Sequence, residues 1–167
     1  MKTFKTIIFI GSLSISLFHL QAQTEVRGHI TENTIWSYAN SPHHIMDDIT
    51  NDNGVILNIE ASVVIKLGIQ ERYSYYRYDI FINSILNPRE TPINPDVFTS
   101  FRDDTYGGDT NSDSNAISPS AGDWSRIKFT SQPNVSNTSQ NCIVKYGGIS
   151  RTSSTYYTSI LALIRKN

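Results

Sequence analysis

Oxygen-bearing side chains recur at alternate positions near the middle of the chain, in the stretch DTNSDSN. Asp109, Asn111 and Asp113 stand two residues apart, and the backbone carbonyl of Asn115 continues the same spacing. Ca²⁺ takes roughly six to eight oxygen ligands, and an Asp-x-Asn-x-Asp run brings three side-chain oxygens to the inside of a tight curve. The spacing therefore predicts the first half of a calcium-binding loop.

The second half of such a loop does not follow in the sequence. Ser114 stands where a glycine is usual, and Ser120 stands where a bidentate glutamate is usual. We expect Asp103, Asp104 or Asp123 to complete the ligand shell. The five aspartates of the loop repel one another unless a cation neutralises them. They are Asp103, Asp104, Asp109, Asp113 and Asp123. The alternative is a solvated loop rich in Asp, Asn and Gly that binds no metal.

A second candidate site is the tyrosine- and arginine-rich segment from Ile69 to Tyr78. Tyr73 and Tyr75 offer flat rings that stack on pyranose faces, and Arg72 and Arg77 offer guanidinium groups for hydroxyls or acidic sugars. This composition predicts a carbohydrate-binding surface. The alternative is a segment whose tyrosines cover the edge of the core, because alternate side chains of a strand face opposite ways.

Histidine and cysteine, the other residue types with site chemistry, give weaker patterns. His43 and His44 precede Asp47 and Asp48, but neighbours on a strand point to opposite faces, so we expect a polar turn leading into a strand rather than a metal site. Cys142 is the single cysteine and has no internal disulfide partner. Its apolar neighbours predict a small buried side chain rather than a reactive thiol.

Short runs of alternating apolar residues must position these side chains. The clearest is VILNIEASVVIKLG from Val55, and further runs are DIFINSILN, DVFTSF, SRIKF, NCIVKY and SILALI. No apolar stripe recurs at helical spacing, so the pattern predicts an all-β chain of short strands. The acidic loop, residues 102–123, lies between the strand-like pieces Val97–Phe101 and Arg126–Phe129.

The first 22 residues have the features of a secretory signal peptide. Lys2 and Lys5 precede the apolar run Ile7–Phe18, and the small residue Ala22 ends the segment. The apolar run is too short to span a bilayer, and no later run is longer. We therefore expect a secreted or cell-surface protein with one domain over residues 23–167.

The charge balance excludes one class of partner. The chain has 14 basic and 15 acidic residues, and removal of Lys2 and Lys5 leaves 12 against 15, a formal charge of −3. This balance predicts neither nucleic-acid nor anionic-membrane binding.

Several short motifs follow one another between about residue 33 and residue 148. They are Trp36, Gly54-Val55, Glu60, Val64–Lys66, Asn94-Pro95, Phe98–Ser100, Gly122–Trp124 and Tyr146–Gly148. In these residues and their order the chain resembles secreted right-handed parallel β-helix proteins of Bacteroidetes type, with the pectin-lyase-like fold. Ser62 and Ser125-Arg126 replace glycines of the family pattern.

The resemblance implies a right-handed parallel β-helix of about three to four rungs. Residues 23–54 would form the N-terminal cap and the start of the first rung, and residues 102–123 a loop insertion. No C-terminal cap is recognisable, so self-association at that end is an expectation.

For function, the resemblance favours a non-enzymatic exported protein that binds carbohydrate or a cell-surface matrix and has a calcium-stabilised loop. One alternative is a polysaccharide-lyase-type enzyme, in which Arg126 or Lys128 would act as the base from one face of a strand. The other is a truncated product without independent activity.

Overall fold

The computed structural model describes residues 23–68, 76–130 and 141–148, together with the backbone of Leu161–Ala162. The predicted signal peptide, residues 1–22, lies outside the described residues. So does the chain end at which self-association is expected.

The described part of the chain consists of β-strands and turns with one short 3₁₀-helix, η1 (Tyr38–Asn40), and it contains no α-helix. The all-β prediction is therefore confirmed. The strands are β1 (Thr24–Ile30), β2 (Thr34–Trp36), β3 (His43–Asn51), β4 (Ile56–Ile59), β5 (Val64–Leu67), β6 (Asp79–Ile82), β7 (Ile85–Pro88), β8 (Val97–Ser100), β9 (Arg126–Phe129), β10 (Ile143–Val144) and β11 (Leu161–Ala162).

Every pairing between these strands is parallel. The larger sheet has the order β10-β8-β5-β3-β6-β9-β11, with β1 also on β3, and the smaller sheet has the order β2-β4-β7. The first part of β3 pairs with β5, and its last part pairs with β6. The larger sheet thus contains two ladders: β3-β5-β8-β10 and β3-β6-β9-β11. The strands β2, β4 and β7 form a third ladder.

The register of the ladders places buried apolar side chains of successive strands next to one another. Ile49 pairs with Ile80, and Ile80 pairs with Ile127. These three residues are at most 2% exposed, so they form a continuous apolar column across three strands. Burial of an isoleucine side chain contributes about 1.5–3 kcal/mol, so columns of this kind hold successive strands together.

Two local expectations from the sequence are wrong. The segment from His43 to Asp48 is not a polar turn but most of β3, because β1 and β5 both pair with it. Alternation along DIFINSILN predicts that Ile80, Ile82 and Ile85 all point inward. In β7, however, Leu86 rather than Ile85 is buried, since the bend at Asn83-Ser84 resets the alternation between β6 and β7.

We call β3-β5-β8-β10 the first ladder and β3-β6-β9-β11 the second, and we call one course of the chain through the ladders a pass. The connection between the first and second ladders differs most from one pass to the next. Within β3 the chain runs from one ladder to the other without leaving the strand. The next pass inserts residues 68–78 between β5 and β6, and the pass after that inserts residues 101–125 between β8 and β9. The acidic loop therefore lies between β8 and β9, which pair with β5 and β6 of the previous pass.

A buried asparagine, Asn51, lies where the chain turns from β3 toward β4. Asn51 is fully buried, and its Nδ2 donates to the carbonyls of Val55 at 2.9 Å and Ile85 at 3.3 Å. Its Oδ1 accepts the backbone N–H of Asn83 at 2.8 Å, so one side chain satisfies three backbone groups on two passes.

Replacement of this side chain should be costly. We expect Asn51→Ala to lower the free energy of unfolding by about 2–4 kcal/mol, because it leaves buried backbone groups without partners. Asn87→Ala is the control, since the exposed side chain of Asn87 donates to the side chain of Asn58 at 2.8 Å, and its loss should cost about 0.5 kcal/mol or less. Urea unfolding of both variants measures the difference, and equal losses would contradict this role for Asn51.

Candidate functional site

The acidic loop is anchored to β8 at both of its ends. Thr99 Oγ1 donates to Asp103 Oδ2 at 2.6 Å, and Ser100 Oγ donates to Asp123 Oδ2 at 2.6 Å. The side chains of Thr99 and Ser100 are fully buried. Asp103 and Asp123 therefore fasten the two ends of the loop to one strand.

Cations of the same chain neutralise both anchors. Arg102 Nη1 lies 3.2 Å from Asp123 Oδ1, and Lys145 Nζ lies 3.9 Å from Asp103 Oδ2. Burial acts to raise the pKa of Asp103, but hydrogen bonds from Thr99 and Thr105 and the charge of Lys145 outweigh it and lower the pKa. Asp103 is thus held as a carboxylate.

A buried lysine enters the loop from the neighbouring strand β5. Lys66 is fully buried, and its Nζ donates to the carbonyl of Gly108 and to Thr110 Oγ1, the latter at 3.0 Å. Burial lowers the pKa of Lys66, and Asp104, first among the nearby carboxylates, acts to raise it. Sequence reasoning missed this residue because Lys66 is 37 residues or more from the aspartates of the loop, and the β5-β8 register brings it there.

Three of the remaining carboxylates meet in the middle of the loop. Oxygen atoms of Asp104, Asp109 and Asp113 all lie within 4.8 Å of one another. Burial raises the pKa of Asp104, and the charges of Asp109 and Asp113 act in the same direction. Asp104 Oδ1 and Asn111 Oδ1 are buried without a hydrogen-bond partner among the described residues. The cluster has the donor type and the spare oxygens that a hard divalent cation requires.

The backbone curves around this cluster through hydrogen bonds to its own carboxylates. Asp109 accepts the N–H of Asp113 at 3.1 Å and the N–H of Ser114 at 2.9 Å. Asp113 accepts the N–H groups of Ala116 and Ile117, each at 3.1 Å. Ser114 has a φ of 54°, so it adopts the left-handed conformation that a glycine usually supplies in such a loop.

The predicted metal-binding residues thus separate into two groups. Asp104, Asp109 and Asp113 lie together, and Asn111 donates to Asp113 Oδ2 at 2.8 Å. The backbone N–H of Asn115 bonds the carboxylate of Asp104. The other two predicted ligands, Asp103 and Asp123, are the anchors on β8. Metal binding itself stays a prediction.

The predicted tyrosine and arginine surface is only partly described. Tyr73, Tyr75 and Arg72 lie outside the described residues. Arg77 Nε donates to the carbonyl of Gly122, so this arginine contacts the end of the acidic loop.

Another aromatic cluster lies beside the acidic loop. Lys145 Nζ is 5.1 Å from the ring centroid of Tyr106 and 5.0 Å from that of Tyr146. Tyr146 has a φ of 62°, and its carbonyl accepts the N–H groups of Gly122 and Asp123 at 2.9 and 3.0 Å. A half-buried ammonium between two rings can bind a ligand that has both an apolar face and acidic or hydroxyl groups.

The candidate catalytic bases lie on the second ladder. Arg126 Nε is 3.6 Å from Oδ1 of the buried Asp79, and Lys128 Nζ lies 6.0 Å from the ring centroid of Phe81. Ile127 between them is buried and Lys128 is exposed. The carboxylate of Asp79 therefore forms an ion pair with the guanidinium of Arg126.

The adjacent histidines of β3 are both buried and stack on different aromatic rings. His43 stacks on Trp36 with ring centroids 5.4 Å apart, and His44 stacks on Phe101 at 3.8 Å. Burial lowers the pKa of His43, and burial lowers the pKa of His44 to about 4. Within the described residues, neither histidine belongs to a group of three metal-ligating side chains.

No family model, curated protein or solved structure matches the chain. Among the described residues there is also no helix long and apolar enough to cross a membrane. Functional inference therefore rests on the contacts of the loop and of the strands that hold it.

The buried histidine makes a testable contribution to acid sensitivity. Unfolded His44 takes up a proton near its ordinary pKa of 6.5, whereas the folded form does so near 4, so its stabilising effect is complete above about pH 6.5 and lost as the pH falls toward 4. The loss amounts to about 3 kcal/mol. We expect His44→Phe, which keeps a ring on Phe101, to reduce the fall in melting temperature over this range.

The exposed His29 provides the control for that measurement. Its side chain is 68% exposed and lies 3.1 Å from Asp52, so His29→Gln measures the effect of removing a histidine that is not buried. An identical loss in His44→Phe would contradict the assignment to His44.

Proposed function

We propose that the three ladders form a right-handed parallel β-helix. The strands succeed one another in the same order on each pass, β1-β2, β3-β4, β5-β6-β7 and β8-β9, and each pass stacks in parallel on the previous one. Connections between parallel strands of one sheet are right-handed in nearly all proteins, which supports this hand.

On this fold we propose an exported, non-enzymatic protein that binds carbohydrate at the cell surface or in a matrix. Residues 1–22 support export by their composition. The observation that carries the proposal is the way in which the acidic loop is built onto the sheet. Lys66, Asp103 and Asp123 fasten it through buried contacts, as expected of a loop that presents a defined surface rather than a solvated connection.

We propose further that the centre of the loop binds calcium. Asp104, Asp109 and Asp113 would supply carboxylate oxygens, and Asn111 would add its amide oxygen. Lys66 contributes one positive charge near three carboxylates, so the local charge remains negative without a metal. Burial raises the pKa of Asp104 most, and a divalent cation would remove the repulsion from Asp109 and Asp113 that adds to this effect.

Calcium should therefore stabilise the protein. With calcium at about 100 times its Kd, we expect a gain of about 2.7 kcal/mol, or roughly 5–10 °C in melting temperature, relative to chelator. The variant Asp109→Asn/Asp113→Asn should lose this difference while remaining folded in chelator, because amides remove the repulsion. Thermal melts with Ca²⁺, with Mg²⁺ and with chelator measure the effect.

Asp47→Asn is the matched control, because Asp47 is exposed on β3 and outside the cluster. It should keep the full response to calcium. Equal melting temperatures with calcium and with chelator in the unmodified protein would refute the calcium site.

Among the described residues, the cluster of Tyr106, Lys145 and Tyr146 is the surface best suited to bind carbohydrate. The rings would stack on a sugar face, and the ammonium would attract an acidic group. Because Lys145 also pairs with Asp103, a ligand here would contact the acidic loop directly.

A glycan array followed by titration tests this surface. We expect binding to acidic glycans, and Tyr106→Ala should weaken it by about 1 kcal/mol, roughly fivefold in Kd. Tyr38→Ala is the control, since Tyr38 is 63% exposed and lies in η1. No bound glycan, or equal affinity of Tyr106→Ala and the unmodified protein, would exclude this surface.

The lyase alternative has less support from the described contacts. A catalytic base must contact the proton that it removes from the substrate, and the guanidinium of Arg126 is already paired with the buried Asp79 of the neighbouring strand. Lys128 lies over Phe81 on an exposed strand face, where a cation–π contact accounts for its position. An assay for unsaturated uronic products on acidic glycans separates the enzyme from the binding protein.

A further inference from the structure

A second cluster of metal-ligating side chains lies away from the acidic loop, just before the strands of the first ladder. Val97 pairs with Ile143, so the residues that precede them, Asp96 and Cys142, are neighbours on adjacent passes. The N–H of Ile143 donates to the carbonyl of Asp96 at 2.8 Å, which fixes this register. Glu90, from the turn after β7, approaches the same point and accepts the N–H of Asn141 at 3.4 Å.

The three side chains converge closely enough to share an ion. A carboxylate oxygen of Glu90, a carboxylate oxygen of Asp96 and the sulfur of Cys142 all lie within 4.8 Å of one another. Two ligand atoms that each lie about 2.0–2.3 Å from one ion are at most about 4.5 Å apart, so small side-chain rotations would let these three groups share an ion.

Asp96 provides an independent observation that points to a ligand. It is 0% exposed, and its Oδ1 accepts the N–H of Val63 at 3.1 Å. Among the described residues, its buried Oδ2 has no hydrogen-bond partner, and none of the ion pairs there includes Asp96. An unpaired oxygen of a fully buried carboxylate is costly unless a cation or a proton occupies its free side.

We propose that Glu90, Asp96 and Cys142 bind a divalent transition-metal ion of the zinc class. The thiol of Cys142 releases its proton when the metal binds, and the thiolate and two carboxylates then carry three negative charges around the ion. A fourth position is left for water or a ligand, as in zinc sites with three protein ligands.

The donor set distinguishes this site from the calcium site proposed above. Calcium takes hard oxygen ligands in larger number, whereas a thiolate selects softer ions such as Zn²⁺. Burial raises the pKa of Asp96 to about 6, and the charge of Glu90 acts in the same direction while the N–H groups of Val63 and Ser62 oppose it.

Cobalt and zinc titrations of the full mature chain, reduced with a non-thiol reagent, test the proposal. We expect Co²⁺ to give a thiolate-to-metal charge-transfer band in the near ultraviolet that equimolar Zn²⁺ removes. Zn²⁺ should also slow alkylation of Cys142. The band should be absent in Cys142→Ser, which keeps a side chain of similar size.

Two further variants separate a three-ligand site from a thiol that binds metal alone. Glu90→Gln and Asp96→Asn should each weaken Co²⁺ binding at least about tenfold, and Asp96→Asn keeps the oxygen that accepts the Val63 N–H. The matched control is Asp109→Asn, in the acidic loop, which should leave the band unchanged.

The absence of a band in the unmodified protein would overturn the proposal, as would unchanged alkylation of Cys142 with Zn²⁺. Unchanged Co²⁺ affinity in both carboxylate variants would equally overturn it, since it would show binding by the lone thiol.

Discussion

In-register parallel pairing is the constraint on which the rest of the structure depends. Each pass is hydrogen-bonded residue by residue to the previous one, so positions far apart in sequence are forced into columns. Apolar columns such as Ile49-Ile80-Ile127 supply the driving force, and a buried polar side chain such as Asn51 satisfies the backbone where the chain turns. A buried charge in such a column needs a polar partner. Lys66 finds its partners in the acidic loop, where its Nζ donates to Gly108 and Thr110.

The acidic loop shows how such a sheet carries a long insertion. Its ends are tied to one buried strand by Thr99 and Ser100, and its anchoring carboxylates, Asp103 and Asp123, are balanced by cations of the same chain. Only the carboxylates at its centre remain short of positive charge. The loop thus divides into a fixed base and a negatively charged centre, and the centre is the part that can respond to an ion.

Local pattern in the sequence predicted the strands, because alternation of apolar residues directly reflects burial on one face. It also located the Asp109-x-Asn111-x-Asp113 curve, which is set by neighbouring residues. It missed Lys66 and the proximity of Asp96 to Cys142, since both depend on register between passes that no local pattern encodes. It misassigned His43 to a turn, because a histidine paired on both sides and stacked on Trp36 looks polar in sequence but is buried in the fold.

The uninterrupted course of β3 has a consequence for the order in which the chain folds. β3 is the longest strand and pairs with β1 along most of its length before it meets β5 and β6. The β1-β3 pairing closes a short stretch of chain, whereas the β6-β9 pairing must close one that includes the acidic loop. Loop-closure entropy grows with the length enclosed, so the N-terminal pair forms at the lowest entropic cost. During synthesis it would be complete while the later strands are still being made, giving each of them a finished edge on which to add.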